Sequence, residues 1–173
     1  MKKILLLSIL LWTGWVSAQA IDLDKENRDP KYVESIVSRS QKIVDKLGIN
    51  DAKVAEDVRN VIANRYFTLN DIYETRDAKV KEIKESDLVG EAKNNALKAA
   101  EDAKDAALYR IHFAFPADLS LFLTEEQIEA VKDGMTYGVL KITYDSHLDM
   151  IPSLKKKEKD TIFISFHLDL MNN

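Results

Sequence analysis

The stretch EEQIEAVKDGMTYGVLKITY, Glu125 to Tyr144, decides the fold class. It opens like a helix, meets Gly134, and then turns rich in Val, Ile, Thr and Tyr. Strand propensity favours a stop at Gly134 and a short strand over 136–144, which would make the protein α+β. Helical period favours continuation. Ile128, Val131, Met135, Val139 and Ile142 follow one another at steps of three or four, with Met150 eight further on. The phase does not slip across Gly134, and a new strand would have no reason to keep it. Ala130, Gly134 and Gly138 form a second stripe of small residues. Each glycine costs a helix about 1 kcal/mol against alanine, and close packing of another helix there would offset it. The period therefore predicts one helix over 125–150 and an all-α fold.

The start of that helix is marked by several signals at once. Thr124 can cap it, and Gln127 can return a bond to the Thr124 N–H, the reciprocal pair of a capping box. Leu123 and Ile128 stand where a hydrophobic staple forms. Glu125 and Glu126 lie in the first turn, where the helix dipole favours negative charge.

Upstream the signals are regular. Asp29-Pro30 reads as an N-cap followed by proline at the first helical position. Val33, Ile36, Val37, Ile43, Val44 and Leu47 then share one face until Gly48, predicting a helix over 30–47. Asn50 or Asp51 caps a second helix. Its apolar stripe, Val54 through Ile83, runs without Gly or Pro and predicts a helix over 51–85. Gly90 breaks the pattern. EAKNNALKAAEDAKDAAL, built from strong helix formers, predicts a third helix over 91–114. A short polar turn between two long helices implies an antiparallel hairpin. Ala100, Ala103, Ala106 and Ala107 would let its arms approach closely. Pro116 should end or kink the third helix. Downstream, Pro152 breaks the chain, and a last helix should begin near Ser153 or Leu154, with Lys155, Lys156 and Lys157 as its solvated start.

The first twenty residues, MKKILLLSILLWTGWVSAQA, carry two lysines, an apolar run and a small-x-small end at Ala18-Gln19-Ala20. That is the pattern of a secretory signal peptide over 1–20, cleaved after Ala20. The apolar run from Ile4 to Val16 is too short to span a bilayer. The chain has no cysteine, which excludes disulfides and thiolate metal sites. Cleavage removes Lys2 and Lys3 from 25 basic side chains and none of the 29 acidic ones, leaving 23 against 29 and a net charge of −6. Such a balance argues against nucleic acid as a partner and against docking on an anionic membrane after cleavage. A periplasmic or secreted location follows. Residues 21–29, IDLDKENRD, read as a flexible N-terminal arm, and 30–173 as a single helical domain.

Catalytic chemistry is sparse. His112, His147 and His167 stand far apart with no partner at metal-ligand spacing, and there is no phosphate loop, nucleophile elbow or dinucleotide fingerprint. No metal or cofactor is expected. Two clusters suggest a binding surface. In YFTLNDIYETRD, Tyr66, Asn70, Tyr73 and Asp77 recur along one helix face, and Arg65 and Arg76 interrupt the apolar stripe. Aromatic planes beside amide, guanidinium and carboxylate groups suit a sugar, which offers C–H faces and paired hydroxyls. An amphipathic rim with Arg76 in a salt bridge explains the same pattern structurally. The second cluster is Tyr137, Lys141 and Tyr144.

YFTLNDIYETRDAKV, LTEEQIEAVKDGMTYGVLKITY and MIPSLKKKEK together resemble an uncharacterised family of secreted bacterial proteins, domain of unknown function 3826, described as sugar-binding. KDGMTYGVL is the most specific part. The resemblance implies a secreted protein linked to polysaccharide use, with an oligo- or polysaccharide as partner. It supplies no catalytic residues. Members resembling this chain continue for several tens of residues with a helical, basic and aromatic segment. Here the end, TIFISFHLDLMNN, lacks Lys and Arg, so 161–173 reads as a frameshifted or truncated tail and the domain as incomplete at its C-terminus. Carbohydrate binding without catalysis is the leading functional expectation. A periplasmic helical chaperone or adaptor is the first alternative, motivated by the long hairpin and the LTxxQ start. A polysaccharide-processing enzyme using Asp77 or another carboxylate is the second.

Overall fold

The computed structural model describes residues 20–162. The segment up to Gln19, expected to be a signal peptide, and most of the 161–173 tail lie outside the described residues. Within them the chain forms six helices and no strand: α1 (Pro30–Val44), α2 (Ala52–Glu85), α3 (Gly90–His112), α4 (Ala114–Leu119), α5 (Glu125–Met135) and α6 (Val139–Met150). Residues 156–162 begin a further helical stretch, two residues after the start expected near Leu154. The fold is all-α, and none of the described helices is long and apolar enough to cross a membrane.

Local signals account for most boundaries. Asp29 caps α1 through its carboxylate, which accepts from the N–H groups of Lys31 and Tyr32, with Pro30 at the first position. The helix ends three residues earlier than Leu47, yet Leu47 stays buried and Gly48 turns the chain with φ of +67°. Asp51 caps α2 in the same way as Asp29 caps α1. Helices α2 and α3 form the expected antiparallel hairpin, and α1 packs along α2. At the start of α5 the capping box closes in both directions, and Gln127 Nε2 also donates to the Leu47 carbonyl at 2.8 Å. That bond ties α5 to the end of α1.

Pro116 acts differently from expectation. The break comes at Phe113, which ends α3 and caps α4, and Pro116 sits inside the first turn of α4. No N–H is required of a first-turn residue, so proline is tolerated there.

The single helix predicted over 125–150 is two helices, and the alternative strand over 136–144 does not form. Tyr137 and Gly138 both adopt left-handed conformations, with φ of 55° and 70°. The Gly138 N–H reaches back to the Asp133 carbonyl at 2.9 Å and the Tyr137 N–H to the Gly134 carbonyl at 3.4 Å. These are the two crossed bonds of a Schellman termination. Thr136 reinforces it, its hydroxyl donating toward the carbonyls of Lys132 and Asp133. The apolar stripe keeps its phase but loses its purpose. Val131 is fully buried, whereas Val139, Ile142 and Met150 are exposed. The two glycines have separate duties. A Cβ on Gly134 would sit 3.1 Å from two carbons of Ile43, so this is where α5 crosses α1 closely, while Gly138 meets nothing but the turn. Gly138→Ala is therefore expected to cost about 1 kcal/mol through the left-handed backbone alone. A lowered urea midpoint with an unchanged slope would register it.

The main core joins α1, α2, α4 and α5 through Val44, Val58, Ile62, Leu119 and Val131. A smaller cluster of Ile36, Ala63 and Phe67 lies between α1 and α2, with Leu23, Tyr32, Val33 and Tyr66 packed against it.

Candidate functional site

Residues 21–29 are not a loose arm. They lie along α2, held by a ladder of polar side chains. Asp57 Oδ1 accepts from the Ile21 N–H at 2.9 Å, and Asn60 Nδ2 donates to the Ile21 carbonyl at 2.7 Å. Asn64 does both jobs one turn on, accepting from the Asp24 N–H and donating to the Asp22 carbonyl, each at 2.8 Å. Farther along, Arg28 closes the ladder. Its Nη1 and Nη2 reach Asp71 Oδ1 and Oδ2 at 2.7 Å each, and Asp24 takes two further bonds. The paired geometry is the strong form of a charge-assisted bond. The Arg28 guanidinium also lies 4.6 Å over the Phe67 ring.

The clamp shifts both partners. Asp71 beside Arg28 is held below the ordinary aspartate range, and Arg28 beside Asp71 is raised. A depressed carboxylate stabilises the fold above its unfolded pKa, and that contribution is lost as pH falls through the folded value.

Where the arm turns from its ladder into α1, it leaves a polar pocket of about 540 Å³ against α2, lined by Glu26, Asn27, Arg28, Asp29, Tyr32, Asn70, Asp71 and Glu74. Tyr32 is half-buried, its ring tilted against that of Phe67 at 5.7 Å, and burial raises its phenol. Arg28 and Asp71 are spent on each other. The side chains of Glu26, Asn70 and Glu74 are hydrogen-bonded to no described residue, so the pocket offers an amide and two carboxylates beside an aromatic ring.

The sequence-predicted residues divide among several places. Asn70 lines this pocket. Tyr66 and Tyr137 converge on Arg39, whose guanidinium lies 5.5 Å from one ring and 5.3 Å from the other. Tyr66 is half-buried, its phenol raised by that burial, and Tyr137 is mostly exposed. Tyr73, Arg76 and Asp77 form a third group. Arg76 pairs with Glu101 of α3 at 2.7 Å and with Asp77 at 2.8 Å, and it lies 5.7 Å over Tyr73. Glu101 raises the Arg76 pKa and is itself lowered by it. This is a salt-bridged rim. Tyr144 lies half-buried on α6, away from the pocket lining. Sequence reasoning missed Glu26, Asn27, Arg28, Asp29, Tyr32, Asp71 and Glu74, all but three of them on the supposed loose arm. Asp57, Asn60, Asn64 and Asp71 at helical spacing were the available signal.

A larger cleft of about 670 Å³ opens between α2 and α3, floored by Ile72, Ala100, Ala103 and Ala107. Its alanines offer nothing to a hydroxyl, and its Arg76 is already engaged. Ala106 is exposed outside it. Arg65, the other arginine in the α2 stripe, is almost fully buried. It donates to the Ile111 carbonyl at 3.1 Å, lies 5.5 Å over Phe115, and has its pKa lowered by burial. Among the described residues no group of His, Cys, Asp or Glu is arranged to hold a metal ion.

The chain matches a known family model. A model described as a protein of unknown function, DUF3826, covers residues 33–167. No curated protein matches the chain.

Proposed function

The chain belongs to the DUF3826 family, and on that footing we propose that it is a secreted, non-enzymatic helical protein that binds an oligo- or polysaccharide in the pocket between its N-terminal arm and α2. The observation that carries this reading is the pairing of a half-buried tyrosine with unengaged amide and carboxylate groups in one 540 Å³ pocket. Its size falls in the range of small-molecule sites. Sugars need a flat apolar plane for their C–H faces and fixed acceptors for adjacent hydroxyls. Tyr32 supplies the first; Asn70, Glu74 and Glu26 supply the second. The Arg28–Asp71 clamp holds the pocket wall in place without consuming those groups, so little ordering remains to be done on binding.

Titration of the exported protein with a panel of neutral and acidic oligosaccharides tests this. Both tryptophans lie in residues 1–20, so tyrosine fluorescence and calorimetry are the readouts. Asn70→Ala and Glu74→Gln should each weaken binding about tenfold or more, the equivalent of 1.4 kcal/mol, with melting temperature unchanged. Tyr144→Phe should leave binding as it was. Failure of every oligosaccharide to bind, or binding indifferent to Asn70 and Glu74, would remove the proposal.

A further inference from the structure

The buried carboxylate of Asp57 has a use that neither the pocket nor the core explains. Asp57 is only 4% exposed, and among the described residues no lysine, arginine or histidine pairs with it. Its one hydrogen-bond donor among the described residues is the backbone nitrogen of Ile21, at 2.9 Å. A carboxylate taken out of water with no cation is costly. Ile21 is also the residue that follows the small-x-small end of the leader, Ala18-Gln19-Ala20. Its side chain packs against the main core, and its carbonyl is held by Asn60 at 2.7 Å. The nitrogen is therefore fixed from two sides.

We propose that leader removal after Ala20 creates a buried salt bridge between the α-ammonium of Ile21 and the carboxylate of Asp57, and that this pair locks the arm onto α2. The proposal rests on the reading of residues 1–20 as a cleaved signal peptide. Hydrolysis by a leader peptidase breaks the Ala20–Ile21 amide. The hydroxyl of water goes to the Ala20 carbonyl carbon, and the freed Ile21 amine, with an ordinary pKa near 8, takes a proton at neutral pH. An N–H donor thus becomes a cation with three donors at the same place. Cleavage elsewhere would leave a neutral amide at Ile21 or remove the nitrogen altogether. The pair thus ties the position of the cut to completion of the fold, and with it to the Arg28 end of the same ladder.

The full-length chain should be exported, purified, and its N-terminus read by intact mass and sequencing, where Ile21 is expected first. The melting temperature of that protein is then compared with one beginning at Ala20, and both are repeated with Asp57→Asn. The Ile21 start should melt about 5 °C or more above the Ala20 start, and Asp57→Asn should abolish that gap. As a readout independent of the variant, the Ile21 amine should react with an acylating reagent at least about tenfold more slowly in the native protein than the Ala20 amine does. Equal melting temperatures, a gap that survives Asp57→Asn, or a freely reactive Ile21 amine would overturn the salt bridge. A mature N-terminus other than Ile21 would overturn it at its premise, the position of the cut. Neither result bears on the oligosaccharide titration.

Discussion

Phe67→Ala is expected to lower the unfolding free energy by about 3–5 kcal/mol, the range for emptying a fully buried aromatic site. Phe67 has no exposed surface and forms the small second core with Ile36 and Ala63. It also lies beneath two residues that line the candidate site, since both the Tyr32 ring and the Arg28 guanidinium rest on it. Two losses should therefore appear together. The urea midpoint should fall sharply. In the folded fraction, the N–H of Arg28, which is bonded within the arm to the Lys25 carbonyl, should lose hydrogen-exchange protection. Phe67→Leu keeps most of the volume and should cost less than about 1.5 kcal/mol, leaving the arm in place. Asn70→Ala, by contrast, should affect binding alone. A Phe67→Ala loss under 1 kcal/mol would mean that the second cluster is not a core and that the arm is held by its polar ladder alone.

Arg65 gives the second large effect, and there the choice of replacement decides its sign. The side chain is 6% exposed and meets no carboxylate among the described residues. Its partners are the Ile111 carbonyl, in the last turn of α3, and the Phe115 ring. The negative end of a helix dipole and an aromatic face suit a cation, but each is weaker than an ion pair. Arg65→Ala would leave a cavity and strip the Ile111 carbonyl of its donor. Its expected cost is about 2–4 kcal/mol. Arg65→Met loses the same donor to Ile111 but fills most of the space and removes the burden of a desolvated charge. It should cost less than about 1 kcal/mol, or stabilise. Paired urea unfolding curves separate the two cases. If methionine is as damaging as alanine, the charge itself, and not its volume, holds α3 against α2.

Legibility followed the range of the interaction. The capping box of Thr124 and Gln127, the aspartate caps of α1 and α2, and the hairpin of α2 and α3 were all readable, because caps and turns are settled within about four residues. The long 125–150 helix failed on the same ground turned around. Period reports which residues would share a face if the helix continued; it carries no information on whether a core lies opposite that face. Beyond Met135 none does among the described residues, so the left-handed turn at Tyr137-Gly138 costs no burial there. At the candidate site, Asn70 was found because it lies on a long, regular helix. Its pocket partners on the arm were not, because an extended segment has no helical period and its partners on α2 lie 36 to 43 residues away.

By itself the sequence determined the all-α class, the rough extent of the first three helices, the acidic balance and the absence of thiol chemistry. These depend on composition and on bonds between near neighbours. Only the tertiary structure decided where α5 ends, that residues 21–29 are bound in place, and that Tyr66 and Tyr137 meet across Arg39. It also separated Arg76, engaged by Glu101, from Asn70, which lines the pocket beside the arm. Each of these depends on which polar groups find partners across a distance in the chain, and a free energy of that kind exists only once the surfaces have met.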